Sequence, residues 1–81
     1  MKLFFTERGQ KDYAALTLTI QHLADKQLDF LVNDLRHPSL KAKKYDEARG
    51  LWQVRITRDY RAYFLISGDA YMIITITKHP K

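Results

Sequence analysis

Three short segments near the carboxyl end of the sequence alternate apolar and polar residues, and only brief connections separate them. They run from Leu51 to Thr57, from Tyr60 to Ile66 and from Ala70 to Lys78. A period of two is typical of β-strands, and strands joined by tight turns pair antiparallel. The segments therefore predict a three-stranded meander, with Ser67-Gly68-Asp69 as the second turn.

The alternation also separates the two faces of each predicted strand. The first strand divides into Trp52, Val54 and Ile56 against Gln53, Arg55 and Thr57, the second into Tyr60, Ala62, Phe64 and Ile66 against Arg61, Tyr63 and Leu65, and the third into Met72, Ile74 and Ile76 against Tyr71, Ile73, Thr75, Thr77 and His79. Apolar faces pack and polar faces meet solvent. Arg55 and Arg61 thus fall on outward faces of neighbouring strands.

The start of the sequence predicts a strand and a first helix. Lys2–Phe5 is a short apolar run that suits a strand. Thr6 is placed to cap a helix that should run from about Glu7 to Leu16, because threonine side chains accept hydrogen bonds from the first helical amides.

A second helix is predicted to enter through Thr17–Ile20 and to carry an apolar stripe at the i, i+3, i+4, i+7 spacing. The stripe consists of Leu28, Leu31, Val32 and Leu35. This helix should end near Arg36, since Pro38 disfavours helical geometry at His37.

Residues 39–50 are predicted to form a lysine-rich loop that closes at Gly50. The element order is then strand, helix, helix and three strands. This order predicts an α+β fold, β-α-α-β-β-β, in which two N-terminal helices pack on one face of an antiparallel sheet.

Length and composition limit the class of protein. With 81 residues the chain supports one hydrophobic core, so we expect a single domain over 1–81. It has no cysteine, which excludes disulfides and thiol chemistry and fits a cytoplasmic location. The longest apolar stretch, Ala70–Ile76, is far shorter than the roughly 20 residues of a membrane helix. Met1–Phe5 is followed at once by polar residues, unlike a signal peptide.

The positive charge is concentrated in the middle of the chain. Residues 36–61 hold eight basic and three acidic residues, a net charge of +5, which equals the net charge of the whole chain. Such a concentration is typical of a surface that meets an anion, although a solvated loop would show it too.

Several motifs, in this order, resemble those of RelE/ParE-superfamily toxins. They are Trp52–Thr57, then Tyr60-Arg61-Ala62-Tyr63-Phe64, then a strand that ends in Thr77-Lys78-His79. His37–Lys41 also resembles the segment that leads into the sheet of such toxins. The likeness covers nearly the whole chain in element order and implies a RelE-like fold.

The resemblance implies the toxin component of a type II toxin–antitoxin system. Many relatives are mRNA interferases, which are ribosome-dependent endoribonucleases that cut mRNA, while others poison DNA gyrase and some have no established activity. We therefore expect a cognate antitoxin, mRNA and the ribosome as partners. A ParE-like toxin acting on gyrase and a catalytically weak RNA-binding relative stay open as alternatives.

Arg55, Arg61 and His79 are the predicted catalytic residues. Metal-independent RNA cleavage needs a base for the 2′-hydroxyl proton, cations for the charge on the phosphorane and an acid for the leaving 5′-oxygen. Arg55 and Arg61 can clamp one phosphate with their guanidinium groups. By the resemblance, His79 stands where relatives carry a histidine or arginine that acts as acid or stabilises the transition state. Arg61 could instead pin the sheet, and His79 could be a solvated chain end.

Further basic residues are predicted to bind the RNA backbone, where their number sets affinity and salt sensitivity. They are Lys41, Lys43, Lys44, Arg49 and Arg58. Tyr63 shares the face of Arg61, where it could orient a phosphate, stack on a base or pack at the sheet edge.

The sequence departs from the ribonuclease relatives in two places. Those relatives carry a lysine on the first meander strand where this chain has Gln53, which cannot act as a base. Many also continue past the last strand with a tyrosine, whereas this sequence ends at Lys81. The base is then one of four residues, and the sequence does not choose between them. They are His79, Lys43, Lys44 and Glu47.

We expect no metal and no other cofactor. The two remaining histidines, His22 and His37, lie in a helix and beside Pro38 without a short ligand spacing.

Overall fold

The computed structural model describes residues 1–79, which form two α-helices, a short 3-10 helix and five strands. In chain order these are β1 (Lys2–Phe5), α1 (Glu7–Ala15), α2 (Leu18–Asn33), the 3-10 helix (Pro38–Leu40), β2 (Lys43–Asp46), β3 (Leu51–Arg55), β4 (Tyr60–Ser67) and β5 (Ala70–Lys78). The strands form one sheet in the order β1-β5-β4-β3-β2. The helices pack against one face, called here the helix face, and the other is called the open face. The predicted α+β architecture is confirmed.

The prediction of a loop over residues 39–50 is wrong in two places, since the 3-10 helix and β2 both fall there. Of the four residues of β2, Tyr45 alone has a largely apolar side chain. The segment therefore shows no alternation that would indicate a strand. It forms because its backbone pairs antiparallel with β3, with Lys43 opposite Gln53 and Lys44 opposite Trp52.

The sheet is mixed rather than wholly antiparallel. β1 pairs parallel with β5, from Lys2 opposite Ala70 to Phe5 opposite Ile73. The antiparallel prediction is therefore wrong for this pair, while it is confirmed for β3 with β4 and β4 with β5. Local turn signals could not reveal a pairing between the two ends of the chain.

Both predicted helices form, with slightly earlier ends. The Thr6 side chain accepts a hydrogen bond from the Gly9 amide at 3.0 Å, which confirms the predicted cap. α1 ends at Ala15, and α2 ends at Asn33 instead of near Arg36. Leu35 lies beyond the helix and still packs against the core. Neither helix has the length and apolar character needed to cross a membrane.

The core lies between the helices and the helix face of the sheet. Its largest fully buried side chains are Phe64, Leu31, Leu40, Ile73 and Val54. Leu31 comes from α2 and Leu40 from the 3-10 helix. The burial of Leu40 in the same core as Val54 of β3 fixes the segment that precedes β2 against the sheet.

β5 contains an extra residue relative to β4. Tyr63 lies opposite Thr75 and Phe64 opposite Ile73, which leaves Ile74 without a partner. A bulge of this kind reverses the alternation of side chains. The core therefore takes Tyr71 and Ile73 before the bulge and Ile76 after it. The predicted grouping of Tyr71 and Ile73 with Thr75, Thr77 and His79 on one face is wrong for this reason.

Helix α1 stabilises the bulge through two polar side chains. The Thr6 hydroxyl donates to the Ile74 carbonyl oxygen at 3.0 Å. The Asp12 carboxylate accepts a hydrogen bond from the Ile76 amide at 3.0 Å and another from the Thr75 hydroxyl. These bonds satisfy strand groups around the bulge, which β1 does not reach.

We expect Gly9→Ala to lower the free energy of unfolding by about 1–3 kcal/mol, although alanine favours helices. A Cβ at Gly9 would lie 2.5 Å from the Ile73 carbonyl oxygen, so α1 would have to move away from β5. Urea denaturation measures the change. The control Lys11→Ala, on the exposed side of α1, should stay within about 0.5 kcal/mol of wild type. Equal stability of both variants and wild type would contradict the close approach.

Candidate functional site

The open face carries a small basic depression near the ends of β3, β4 and β5, called here the cationic hollow. It encloses about 200 Å³ and is lined by Lys41, Lys43, Gln53, Arg55, Arg61 and His79. Arg55 and Arg61 are directly opposite each other on β3 and β4, and Lys43 is opposite Gln53 on β2 and β3. The three predicted catalytic residues therefore line one hollow.

Among residues 1–79, no carboxylate lines the cationic hollow. Within residues 1–79 the ion pairs are Lys2–Asp69, Arg8–Asp12, Lys11–Glu7 and Arg49–Asp46, and none of them involves a residue of the hollow. Four basic side chains that share a concave surface raise the local concentration of anions, and guanidinium groups bind phosphate oxygens in pairs. The geometry suits a phosphate group.

Arg61 also organises the loop between β3 and β4. Its Nη1 donates to the backbone carbonyls of Thr57 at 2.7 Å, Tyr60 at 3.0 Å and Arg58 at 3.2 Å. The backbone amide of His79 donates to the Asp59 carbonyl of the same loop. Nε and Nη2 of Arg61 make no hydrogen bond with the described residues, so one guanidinium group can pin the loop and still offer donors to an anion.

Gln27 fixes the position of the hollow from the helix side. The side of α2 that faces the sheet carries the buried residues Ala24, Gln27, Leu28 and Leu31. The Gln27 Nε2 donates to the Arg55 carbonyl at 2.8 Å and to the Ser39 carbonyl at 3.0 Å, and its Oε1 accepts from the Ser39 hydroxyl. Gln27 is not among the predicted site residues, although a lone amide on the buried stripe of a helix indicates such a role.

We expect Gln27→Met to lower the free energy of unfolding by about 1–3 kcal/mol, because the partly buried carbonyls of Ser39 and Arg55 would lose their partner. Thermal unfolding followed by circular dichroism measures the loss. Gln10→Met on the exposed side of α1 is the matched control, and it should change little. If Gln27→Met is as stable as the control, the contact does not hold the hollow in place.

Tyr63 lies beside the hollow rather than in it. Its hydroxyl accepts a hydrogen bond from the Gln53 Nε2 at 3.0 Å, and its ring meets that of Tyr45 edge to face at 5.0 Å. Tyr63 is only 8% exposed and Gln53 only 4%. Stacking of an RNA base on Tyr63 would first require Tyr45 to move, so packing is the role that the geometry favours.

The remaining predicted RNA contacts are dispersed. Arg49 pairs with Asp46 at 2.7 Å in the turn between β2 and β3. Lys44 lies on the helix face, with its Nζ 5.8 Å from the centre of the Trp52 ring. Arg58 is exposed in the loop after β3 and lines a neighbouring depression, which shares Lys41 and Arg55 with the hollow. Only Lys41 and Lys43 of the predicted backbone contacts join the cationic hollow.

Contacts elsewhere in the chain shift the pKa of Asp46, Tyr13 and Tyr71. The hydrogen bond from Arg49 lowers the pKa of Asp46. The hydrogen bond to Asp25, 2.6 Å long, raises the pKa of Tyr13, and burial raises that of Tyr71 with a smaller contribution from Asp34. These groups belong to structural contacts and suggest no acid–base chemistry.

Solved structures with this architecture span the whole chain. The YoeB/ParE toxin from Agrobacterium tumefaciens superposes with a TM-score of 0.82 at 20% identity, over 99% of this chain and 100% of that one. The YoeB dimer from Staphylococcus aureus gives 0.80 at 14% identity, over 99% and 98%. The toxin–antitoxin complex RelBE from E. coli gives 0.74 at 19% identity, over 99% and 98%. The chain has the RelE/ParE toxin fold.

No protein-family model and no curated protein matches the sequence. The RelE/ParE resemblance of the motifs is nevertheless confirmed at the level of the fold. In this chain the pairing of β3, β4 and β5 brings Arg55, Arg61 and His79 to one edge of the open face, where they line the cationic hollow.

Proposed function

We propose that this chain is the toxin of a type II toxin–antitoxin pair and that it acts in the cytoplasm as a ribosome-dependent mRNA endoribonuclease. The observation that carries the proposal is the cationic hollow, which Arg55, Arg61 and His79 line together with Lys41 and Lys43. The fold shared with RelE and YoeB supports it.

The chemistry would need no metal. The 2′-oxygen of one nucleotide attacks the adjacent phosphorus while the bond from phosphorus to the 5′-oxygen breaks, which leaves a 2′,3′-cyclic phosphate and a 5′-hydroxyl. Arg55 and Arg61 stabilise the charge that grows on the phosphorane oxygens. The proton lost by the 2′-hydroxyl and the proton gained by the 5′-oxygen must both pass through groups in the hollow.

We assign the acid–base roles to Lys43 and His79. Of the four candidate bases, these two line the hollow. Lys44 lies on the helix face over Trp52, and Glu47 is exposed in the turn between β2 and β3. Gln53 is buried and bound to Tyr63, so it would contribute shape rather than proton transfer.

The partner that silences the protein would be an antitoxin with an acidic amphipathic segment. Beside the cationic hollow the open face has a second depression, which includes Tyr45, Leu51 and Ile74. Carboxylates could neutralise the hollow while apolar side chains cover this depression. The toxin–antitoxin complex among the solved relatives supports such a partner.

Transcript mapping after induced expression tests the proposal. We expect growth arrest with mRNA ends at codon boundaries, and co-expression of the antitoxin should restore growth. Arrest with intact mRNA and a DNA damage response would instead identify a gyrase-directed toxin. RNA binding without arrest or cleavage would identify a catalytically weak relative.

A further inference from the structure

A second basic surface lies on the helix face, around the edge of β2 from the cationic hollow. It is a groove of about 420 Å³ lined by Leu35, Arg36, His37, Pro38, Lys41, Ala42 and Trp52. Lys44 adds a further cation above the Trp52 ring. We call this surface the cationic–aromatic groove.

Two aromatic rings of the groove, those of Trp52 and His37, are each packed against a phenylalanine ring. The Trp52 ring is nearly parallel to Phe64 of the core, with 6.2 Å between ring centres. The His37 ring stacks on Phe30 at 3.8 Å, and its Nδ1 accepts a hydrogen bond from the Ser39 amide. A rigid aromatic surface binds a nucleobase at low entropic cost, because no side chain has to be ordered.

The cations of the groove are available to a ligand. Arg36, Lys41 and Lys44 are exposed and make no ion pair with any residue in 1–79. The neighbouring carboxylate, Asp34, accepts a hydrogen bond from the Arg36 backbone amide. Three cations against one carboxylate leave an excess of positive charge beside the aromatic floor.

Lys41 connects this groove to the cationic hollow, since it lines both. Its backbone has a positive φ of 46°, a left-handed conformation that is uncommon for lysine. Lys41 is the C-cap residue of the 3-10 helix, and the preceding Leu40 is fully buried in the core. A ligand long enough to occupy both surfaces would therefore contact Lys41 between them.

We propose that the cationic–aromatic groove binds single-stranded RNA, with a base against Trp52 and phosphates on Arg36, Lys41 and Lys44. Aromatic floors flanked by cations bind single strands without reading a particular sequence. A base would displace the Lys44 ammonium from the indole, and the ammonium would then bind the adjacent phosphate. This inference rests on the proposed function for its ligand class, and it adds a second RNA contact outside the hollow.

Trp52 is the only tryptophan of the chain, so its fluorescence reports occupancy of the groove directly. The probe is a short 2′-O-methyl oligoribonucleotide, which lacks the attacking hydroxyl and stays intact. We expect saturable quenching, with affinity falling as salt rises. An abasic strand with the same phosphates should bind about 5- to 100-fold more weakly and leave the fluorescence unchanged, since stacking is lost.

The double variant Arg36→Gln/Lys44→Gln should weaken binding and reduce the slope of log affinity against log salt by about 1.4, roughly 0.7 for each lost phosphate contact. Its matched control is Arg8→Gln/Lys11→Gln on α1, which removes the same charges far from the groove and should bind like wild type. A third variant, Arg55→Gln in the hollow, should still show quenching.

The inference is wrong if labelled RNA binds, as seen by anisotropy, while Trp52 fluorescence is constant, or if the control pair loses as much affinity as the groove pair. Quenching by polyglutamate equal to that by RNA would also overturn it, in favour of an acidic protein partner. Growth arrest without quenching would reject this inference alone. Quenching without arrest or cleavage would reject the proposed function alone.

Discussion

Replacing Arg55 with alanine is expected to lower the rate of RNA cleavage by about 10²- to 10³-fold and to abolish growth arrest. This is the usual cost of removing one charged donor that faces a transition-state oxyanion. The Arg55 side chain makes no ion pair or hydrogen bond with the described part of the chain, so its removal should leave the fold intact. Single-turnover cleavage of mRNA in a programmed ribosome measures the effect, and circular dichroism checks the fold.

Two further variants test whether the loss of cleavage is specific to position 55 and whether it depends on the guanidinium group. Arg8→Ala removes the same side chain from the exposed surface of α1 and should cleave like wild type. Arg55→Lys keeps the charge but loses the two-pronged geometry, so it should recover only part of the rate. If Arg55→Ala cleaves at the wild-type rate, the cationic hollow is not the catalytic centre.

Phe64→Ala is expected to lower the free energy of unfolding by about 3–5 kcal/mol, the largest stability effect of any single substitution considered. Phe64 is completely buried and contacts Tyr71 edge to face at 5.2 Å as well as Trp52. A domain of this size has a total stability of only about 4–12 kcal/mol. The variant should therefore be partly unfolded at growth temperature.

Urea denaturation followed by far-ultraviolet circular dichroism measures this loss. Ile66→Ala on the same strand is the control, because Ile66 is 43% exposed and should cost under about 1 kcal/mol. Similar losses for the two variants would mean that Phe64 does not have the central place in the core described above.

Local periodicity was enough to predict most of the fold. The meander, the cap at Thr6 and the facing pair Arg55 and Arg61 follow from alternation, capping chemistry and short connections, all of which act between near neighbours in sequence. The element order and the RelE-like motifs then led to the correct architecture.

The features that were missed depend on distant contacts. β2 forms because its backbone pairs with β3, and β1 pairs with β5 from the other end of the chain. The extra residue at Ile74 is held by Thr6 and Asp12, more than sixty residues away. No local pattern in the sequence carries that information.

The candidate site was predictable in part for the same reason. Arg55, Arg61 and His79 could be grouped from strand faces and the resemblance, and the structure gathers them. The sequence could not predict that Lys43 lies on the open face and Lys44 on the helix face. Residues 39–50 were predicted as a loop, and only a strand would place neighbouring side chains on opposite faces. Gln27 could have been found, since it interrupts an otherwise apolar stripe.

The bulge at Ile74 reverses the alternation of side chains along β5. Its first part gives odd-numbered side chains to the core, and its second part gives the even-numbered Ile76 to the core, which leaves Thr77 and His79 for the opposite surface. A straight strand of the same length would have buried the imidazole and exposed the isoleucine. One unpaired residue thus lets the second part of β5 bury Ile76 and also bring His79 to the cationic hollow.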